Sequence, residues 1–170
     1  DSYFNKRNFT LARKTYNKVS TSSKVADYAQ YQSAFILGLQ KQYNAKIELL
    51  NTLITKYPHS DYNDDAMYEI GRTYVLQDKH TEAIEAYKKL QKRHPQSKLT
   101  RKASLEIGMQ YANINKNEEA IKAYKSSDVD LPNKTWDAFS ALRNSSIPWT
   151  KIVISVANLR CNSRKWGSWL

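Results

Sequence analysis

The sequence predicts an all-α fold, a solenoid of antiparallel helix hairpins. Three observations predict it. The chain repeats itself at a fixed step. Each repeat carries apolar residues at helical spacing. Glycine and proline are scarce, four of each in 170 residues, which disfavours a turn-rich sheet protein.

The repeat is read by sliding the chain 37 residues. Glu69, Ile70, Gly71 and Tyr74 then fall on Glu106, Ile107, Gly108 and Tyr111. Glu82, Ala83, Ile84, Ala86 and Tyr87 fall on Glu119, Ala120, Ile121, Ala123 and Tyr124. One step earlier the match is looser. Asp27, Ala29, Tyr31, Pro58 and Ser60 fall on Asp64, Ala66, Tyr68, Pro95 and Ser97. Self-similarity of this kind marks stacked supersecondary units.

Residues 1–22 read as a partial unit. "YFNKRNFTLARKTY" parallels "YVLQDKHTEAIEAY", so the chain opens partway along a first helix. Residue 1 is therefore not expected to be the native start, and any signal peptide, lipid anchor or earlier repeat would lie before it. The next unit, 23–60, predicts helices over 24–40 and 43–57. Unit 61–97 predicts helices over 61–77 and 80–94. Ala66, Ile70 and Tyr74 make its first apolar stripe, and Ala83, Ile84, Tyr87 and Leu90 its second. "LQDKHT" is the polar turn between them. Pro95 stops the second helix, and Ser60 and Ser97 are placed to cap the next helix in each case. Unit 98–132 predicts helices over 98–114 and 117–127. Gly71 and Gly108 lie inside helices, where glycine costs about 1 kcal/mol relative to alanine. The expected reason is close approach of the paired helix, with Ala83 and Ala120 as the facing small residues. Tyr74, Tyr87, Tyr111 and Tyr124 are expected to fill the larger gaps between hairpins.

"AMYEIGRTYVLQDKHTEAIEAYKKLQKRHP" resembles a tetratricopeptide repeat (TPR): apolar–Gly–x–x–Tyr, then Ala–x–x–x–aromatic, then a closing proline. The resemblance covers roughly residues 3–132. It departs in unit 23–60, where Ala34 replaces the glycine and Lys46 the small alanine. It implies a right-handed superhelix and a non-catalytic scaffold that binds a peptide or partner protein in its concave groove. The long step and the "YPHSD" and "HPQSK" junctions look like a bacterial subgroup. That subgroup includes outer-membrane assembly lipoproteins and the TPR domain of the Tol–Pal coordinating protein. A periplasmic or outer-membrane-associated protein is the corresponding expectation, with a cytoplasmic one as the alternative.

The repeat ends before the chain does. All four tryptophans and the one cysteine, Cys161, lie beyond residue 135, and no acid follows Asp137. Residues 133–170 read as an atypical C-terminal helical cap, with Trp136, Phe139 and Leu142 covering the last hairpin. The alternative is a non-native tail, entered where the reading frame leaves the repeat gene near residue 126.

Catalytic chemistry finds no constellation. His59, His80 and His94 are scattered over junctions and a turn, without metal-ligand spacing. "HSD" at 59–61 is adjacency, which is not triad geometry. Asp61, Asp64 and Asp65 read as dipole complements of a first helical turn. No phosphate-cradling glycine loop occurs, so no cofactor is expected. One cysteine excludes an internal disulfide framework. The chain has no run of 18 apolar residues.

The net charge of +11 favours acidic partners. Lys88, Lys89, Lys92, Arg93, Lys98, Arg101 and Lys102 form a basic stretch without an intervening acid. A nucleic-acid-binding role for this face, 88–102, is the alternative function. It lacks the interleaved aromatics of an RNA surface, so nucleic acid is the less favoured partner. The favoured site is a lane on the first helices: Tyr31 and Phe35, then Tyr68 and Arg72, then Lys102 and Met109. Aromatic, Arg and Met side chains suit a peptide-binding groove. The competing account is that Tyr31 and Tyr68 pack between neighbouring first helices.

Overall fold

The computed structural model describes residues 8–19 and 25–127. They form seven helices: α1 (Phe9–Tyr16), α2 (Ala26–Leu39), α3 (Tyr43–Lys56), α4 (Asn63–Val75), α5 (His80–Arg93), α6 (Lys98–Asn113) and α7 (Asn117–Ser126). No strand occurs among the described residues. Every helix from α2 onward lies within the predicted span, short of its ends by two residues at most. The cap or tail predicted for 133–170 lies outside the described residues.

The described residues divide between Ala103 and Ser104 into two compact units. In the first, α2 packs on α3, α3 on α4 and α4 on α5, with α1 against α2. Its core gathers Ala34, Ile47, Leu50, Leu53, Ala66, Ile70 and Ala86. Tyr31, Ile54, Tyr57 and Tyr74 pack against that core from half-buried positions. Ala12 of α1 is buried, as is Ala83 of α5. In the second unit Ala112, Ala120 and Tyr124 are buried together under Leu105, Met109, Tyr111 and Ile121.

The turn inside each hairpin repeats its geometry. Lys41, Asp78 and Asn115 each have φ between 57° and 59°. At each turn the N–H of the next residue, Gln42, Lys79 or Lys116, donates to the carbonyl five residues back, of Leu37, Tyr74 or Tyr111. This is a Schellman ending built on a left-handed residue. Aspartate and asparagine tolerate that conformation through short polar side chains, whereas lysine does so at a cost.

The junctions between hairpins also repeat. The Tyr57 carbonyl accepts from Asn63 Nδ2 at 2.8 Å, and the His94 carbonyl from Thr100 Oγ1 at 2.7 Å. Both bonds satisfy a carbonyl left over at a helix end. Ser60 Oγ donates to Asp27 Oδ2 at 2.6 Å, and Ser97 Oγ to Asp64 Oδ2 at 2.5 Å. Asp64 is therefore more than a dipole complement: it ties the start of α4 to the next junction. Ser97 caps α6 as predicted, accepting from the Leu99 N–H at 3.1 Å. Ser60 does not cap α4. It accepts from the Tyr62 N–H at 3.2 Å in the preceding turn, because α4 starts only at Asn63.

The glycines do face a close contact, but with a different partner from the one expected. A Cβ added at Gly71 would lie 2.4 Å from Tyr87 Cε1, and one at Gly108 would lie 2.4 Å from Tyr124 Cε1. The residue occupying the space is thus the tyrosine one turn beyond Ala83 or Ala120. Tyr87 and Tyr124 fill gaps within their own hairpins rather than between hairpins. In unit 23–60 the corresponding pair is Ala34 with Leu50, both fully buried. The smaller leucine leaves room for the extra methyl.

Candidate interaction surface

The lane residues are positioned by the first helix of each hairpin. Tyr31 and Phe35 sit four apart on α2, and Tyr68 and Arg72 four apart on α4, so each pair shares a face. Tyr31 is half-buried. Burial raises its hydroxyl above the ordinary tyrosine range, helped by Asp65 and Glu69 and opposed by Arg72. Asp65 is raised by burial and by Asp64 and Glu69, while Lys102 pulls it down. Tyr31 thus feels the charges of Asp65, Glu69 and Arg72, and Asp65 that of Lys102. Met109 lies in the second unit and packs on its Ala112–Ala120–Tyr124 core.

Part of the aromatic surface is already used. Tyr31 stacks on Tyr62 at 5.4 Å and 23°, and Tyr62 meets Tyr28 at 5.7 Å. Tyr28 in turn stands edge-on to Tyr16 at 6.3 Å and 86°. Tyr68 leans on Tyr87 at 5.4 Å. Both lane tyrosines therefore commit ring surface to the fold. Tyr62 was not legible as a lane residue, because it lies in a junction outside the helical stripe.

Beneath the lane runs a charge relay. Lys46 Nζ, buried on α3, meets Glu69 Oε2 at 2.6 Å, and Arg72 Nη1 meets Glu69 Oε1 at 2.7 Å. Burial alone would raise the Glu69 carboxyl. The Lys46 hydrogen bond and charge, with Arg72 behind them, outweigh it and hold the group below its ordinary 4.5. The Arg72 side chain remains 55 % exposed, so it can meet a ligand while Glu69 fixes its direction. In the sequence Lys46 is a departure at a small-residue position. Its counter-charge, 23 residues away on the next hairpin, explains how a lysine is tolerated there.

Three His, Cys, Asp or Glu side chains able to share a metal ion do not occur among the described residues. Among the same residues, no helix is long and apolar enough to cross a membrane.

The helices, junctions and turns define a helical-hairpin repeat protein. Residues 28–60 and 65–97 match the tetratricopeptide repeat family, which supports the TPR resemblance over those residues. Two structures titled MamA have the same fold. One is 25 % identical with a TM-score of 0.61, covering 74 % of this chain and 70 % of its own. The other is 18 % identical with a TM-score of 0.65, covering 100 % and 92 %. A Podosopora anserina putative kinesin light chain with nearly identical TPR-like repeats matches at 12 % identity and a TM-score of 0.61, covering 96 % and 89 %. No curated relative matches by sequence. The repeat match and these fold neighbours support a protein–protein interaction scaffold.

Proposed function

We propose that the chain is a non-catalytic adaptor that holds an extended peptide or partner segment of acidic character along the first-helix lane. Within the first unit the lane comprises Tyr31, Phe35, Tyr68, Arg72 and Lys102. The observation that carries the reading is Arg72, which a 2.7 Å bond to Glu69 holds in place while its side chain stays exposed, on the helix that also carries Tyr68. Glu69 is shared by two cations, so the pairings leave one positive charge over. A peptide carboxylate would complete that balance, and the tyrosine edges would take its apolar groups. We also place the adaptor in the bacterial envelope, supported by the long repeat step and the "YPHSD" and "HPQSK" junctions. Fractionation of cells expressing the tagged protein tests that location.

The binding test compares variants in capture of partners from an extract of the source cells. Tyr31→Ala with Tyr68→Ala should lose the captured protein. Lys88→Ala with Lys98→Ala, on the basic stretch, should retain it. The reverse result would replace the lane with an electrostatic surface.

A further inference from the structure

The second helices frame a cleft that the lane does not use. It lies among α3, α4 and α5, wholly within the first unit, and encloses about 670 Å³. Ligand pockets commonly span roughly 300–1,000 Å³. Its floor is apolar: Met67, Ile70 and Ala86 are buried there, beside half-buried Ile54 and Tyr74. On α4, Met67, Ile70 and Tyr74 face away from Tyr68 and Arg72 by about half a turn.

The α5 rim is graded in charge. Glu82 and Glu85 stand toward its start, and Lys89, Lys92 and Arg93 toward its end. All five are exposed, and no ion pair among the described residues engages them. The opposite rim, on α3, offers the neutral Asn51 and Thr55.

We propose that this cleft is a second interaction site, which takes a short amphipathic segment of a protein partner with apolar anchors and an acidic end. The recessed floor requires side chains that reach in, which apolar residues supply. The row of three cations seeks carboxylates, and the pair of acids at the other end turns that end of the ligand away from negative charge. The gradient therefore sets the direction in which the segment lies. A nucleic-acid strand fits less well. Its uniformly charged backbone would run over Glu82 and Glu85, and it has no apolar anchor for Met67 and Ile70.

The probe is a displayed library of random peptides of about 12 residues, long enough for a few helical or extended anchors. It is selected against the full chain at physiological salt. Selected peptides should combine bulky apolar residues with Asp or Glu at one end. Each is then labelled and titrated against variants. Thr55→Trp fills the cleft mouth, and Lys89→Glu with Lys92→Glu reverses the basic end. Both should weaken binding by about tenfold or more. Tyr31→Ala with Tyr68→Ala should leave it unchanged. Circular dichroism checks that each variant folds, and Ala86→Leu narrows the floor should Thr55→Trp fail that check. Peptides insensitive to the cleft variants overturn the proposal, and if they are lost with the lane variant they support the lane alone. Failure to select any peptide also overturns it. So does tighter, steeply salt-dependent binding of a single-stranded oligonucleotide that the lysine reversal abolishes, which would give the rim to phosphate.

Discussion

Replacing Gly71 with alanine adds one methyl group where the structure has no room for it. The new Cβ would lie 2.4 Å from Tyr87 Cε1 and 2.7 Å from both Cδ1 and Cζ. Carbon atoms rest at about 3.5–4.0 Å, so the ring or the helix must retreat by roughly 1 Å. The ring has little freedom to do so. Tyr87 is fully buried and leans on Tyr68 at 5.4 Å. Overpacking of this kind costs about 1–3 kcal/mol. Tyr87→Leu alone should also destabilise, by about 2 kcal/mol, because it leaves a cavity. The two together recreate the Ala34–Leu50 pair of the preceding unit, so their costs should not add. Urea unfolding of the four proteins in the cycle measures this. We expect the double variant to be more stable than the sum of the singles predicts by about 1 kcal/mol or more. Additivity within about 0.5 kcal/mol would refute the argument that the ring excludes a side chain at position 71.

Three further outcomes rest on the hairpin turns, the buried ion pair and the junction serines. Lys41→Gly should raise stability by about 0.5–1 kcal/mol, since lysine holds φ 58° there, and a change in the opposite sense would mean the side chain has its own role. The Glu69 carboxyl is depressed in the folded state, so its stabilisation is fully present above its unfolded value near 4.5 and is lost as pH falls through the lower folded value. Lys46→Ala should therefore flatten the acid limb of a thermal-unfolding series below that pH, and should cost up to about 3 kcal/mol at neutral pH by leaving Glu69 with Arg72 alone. Ser97→Ala removes both the α6 cap and the tie to Asp64, and should cost about 1–2 kcal/mol, whereas Ser60→Ala, which caps no helix, should cost less by chemical denaturation.

The hairpins were legible because the repeat states them several times over. Pro58 and Pro95 mark the ends of α3 and α5, and the apolar stripes set the buried faces. The partner of Gly71 was also legible, though not by inspecting one unit. Gly71–Tyr87, Gly108–Tyr124 and Ala34–Leu50 share one offset, and size is traded across each pair. Reading the units against each other shows that the tyrosine, and not Ala83, sets the need for glycine. The Lys46–Glu69 pair was harder, because position 46 reads as apolar and nothing local announces the counter-charge. The cleft was not legible. Lys89, Lys92 and Arg93 read as a solvated basic face, and only packing shows that an apolar floor lies beside them. Of the lane, the helix faces of Tyr31, Phe35, Tyr68 and Arg72 followed from spacing, whereas the ring contacts through Tyr62 depend on how a junction folds.

The buried Lys46 makes the order of the units matter. An ammonium in that position needs a glutamate on the unit that comes next, and both 61–97 and 98–132 carry one, Glu69 and Glu106. Moving 23–60 to the end of the array would strand the charge without one. The other units, with Ala83 and Ala120 at the same position, impose no such condition on the unit after them. The stretch that carries Lys46 is thus confined to places that precede a glutamate-bearing hairpin.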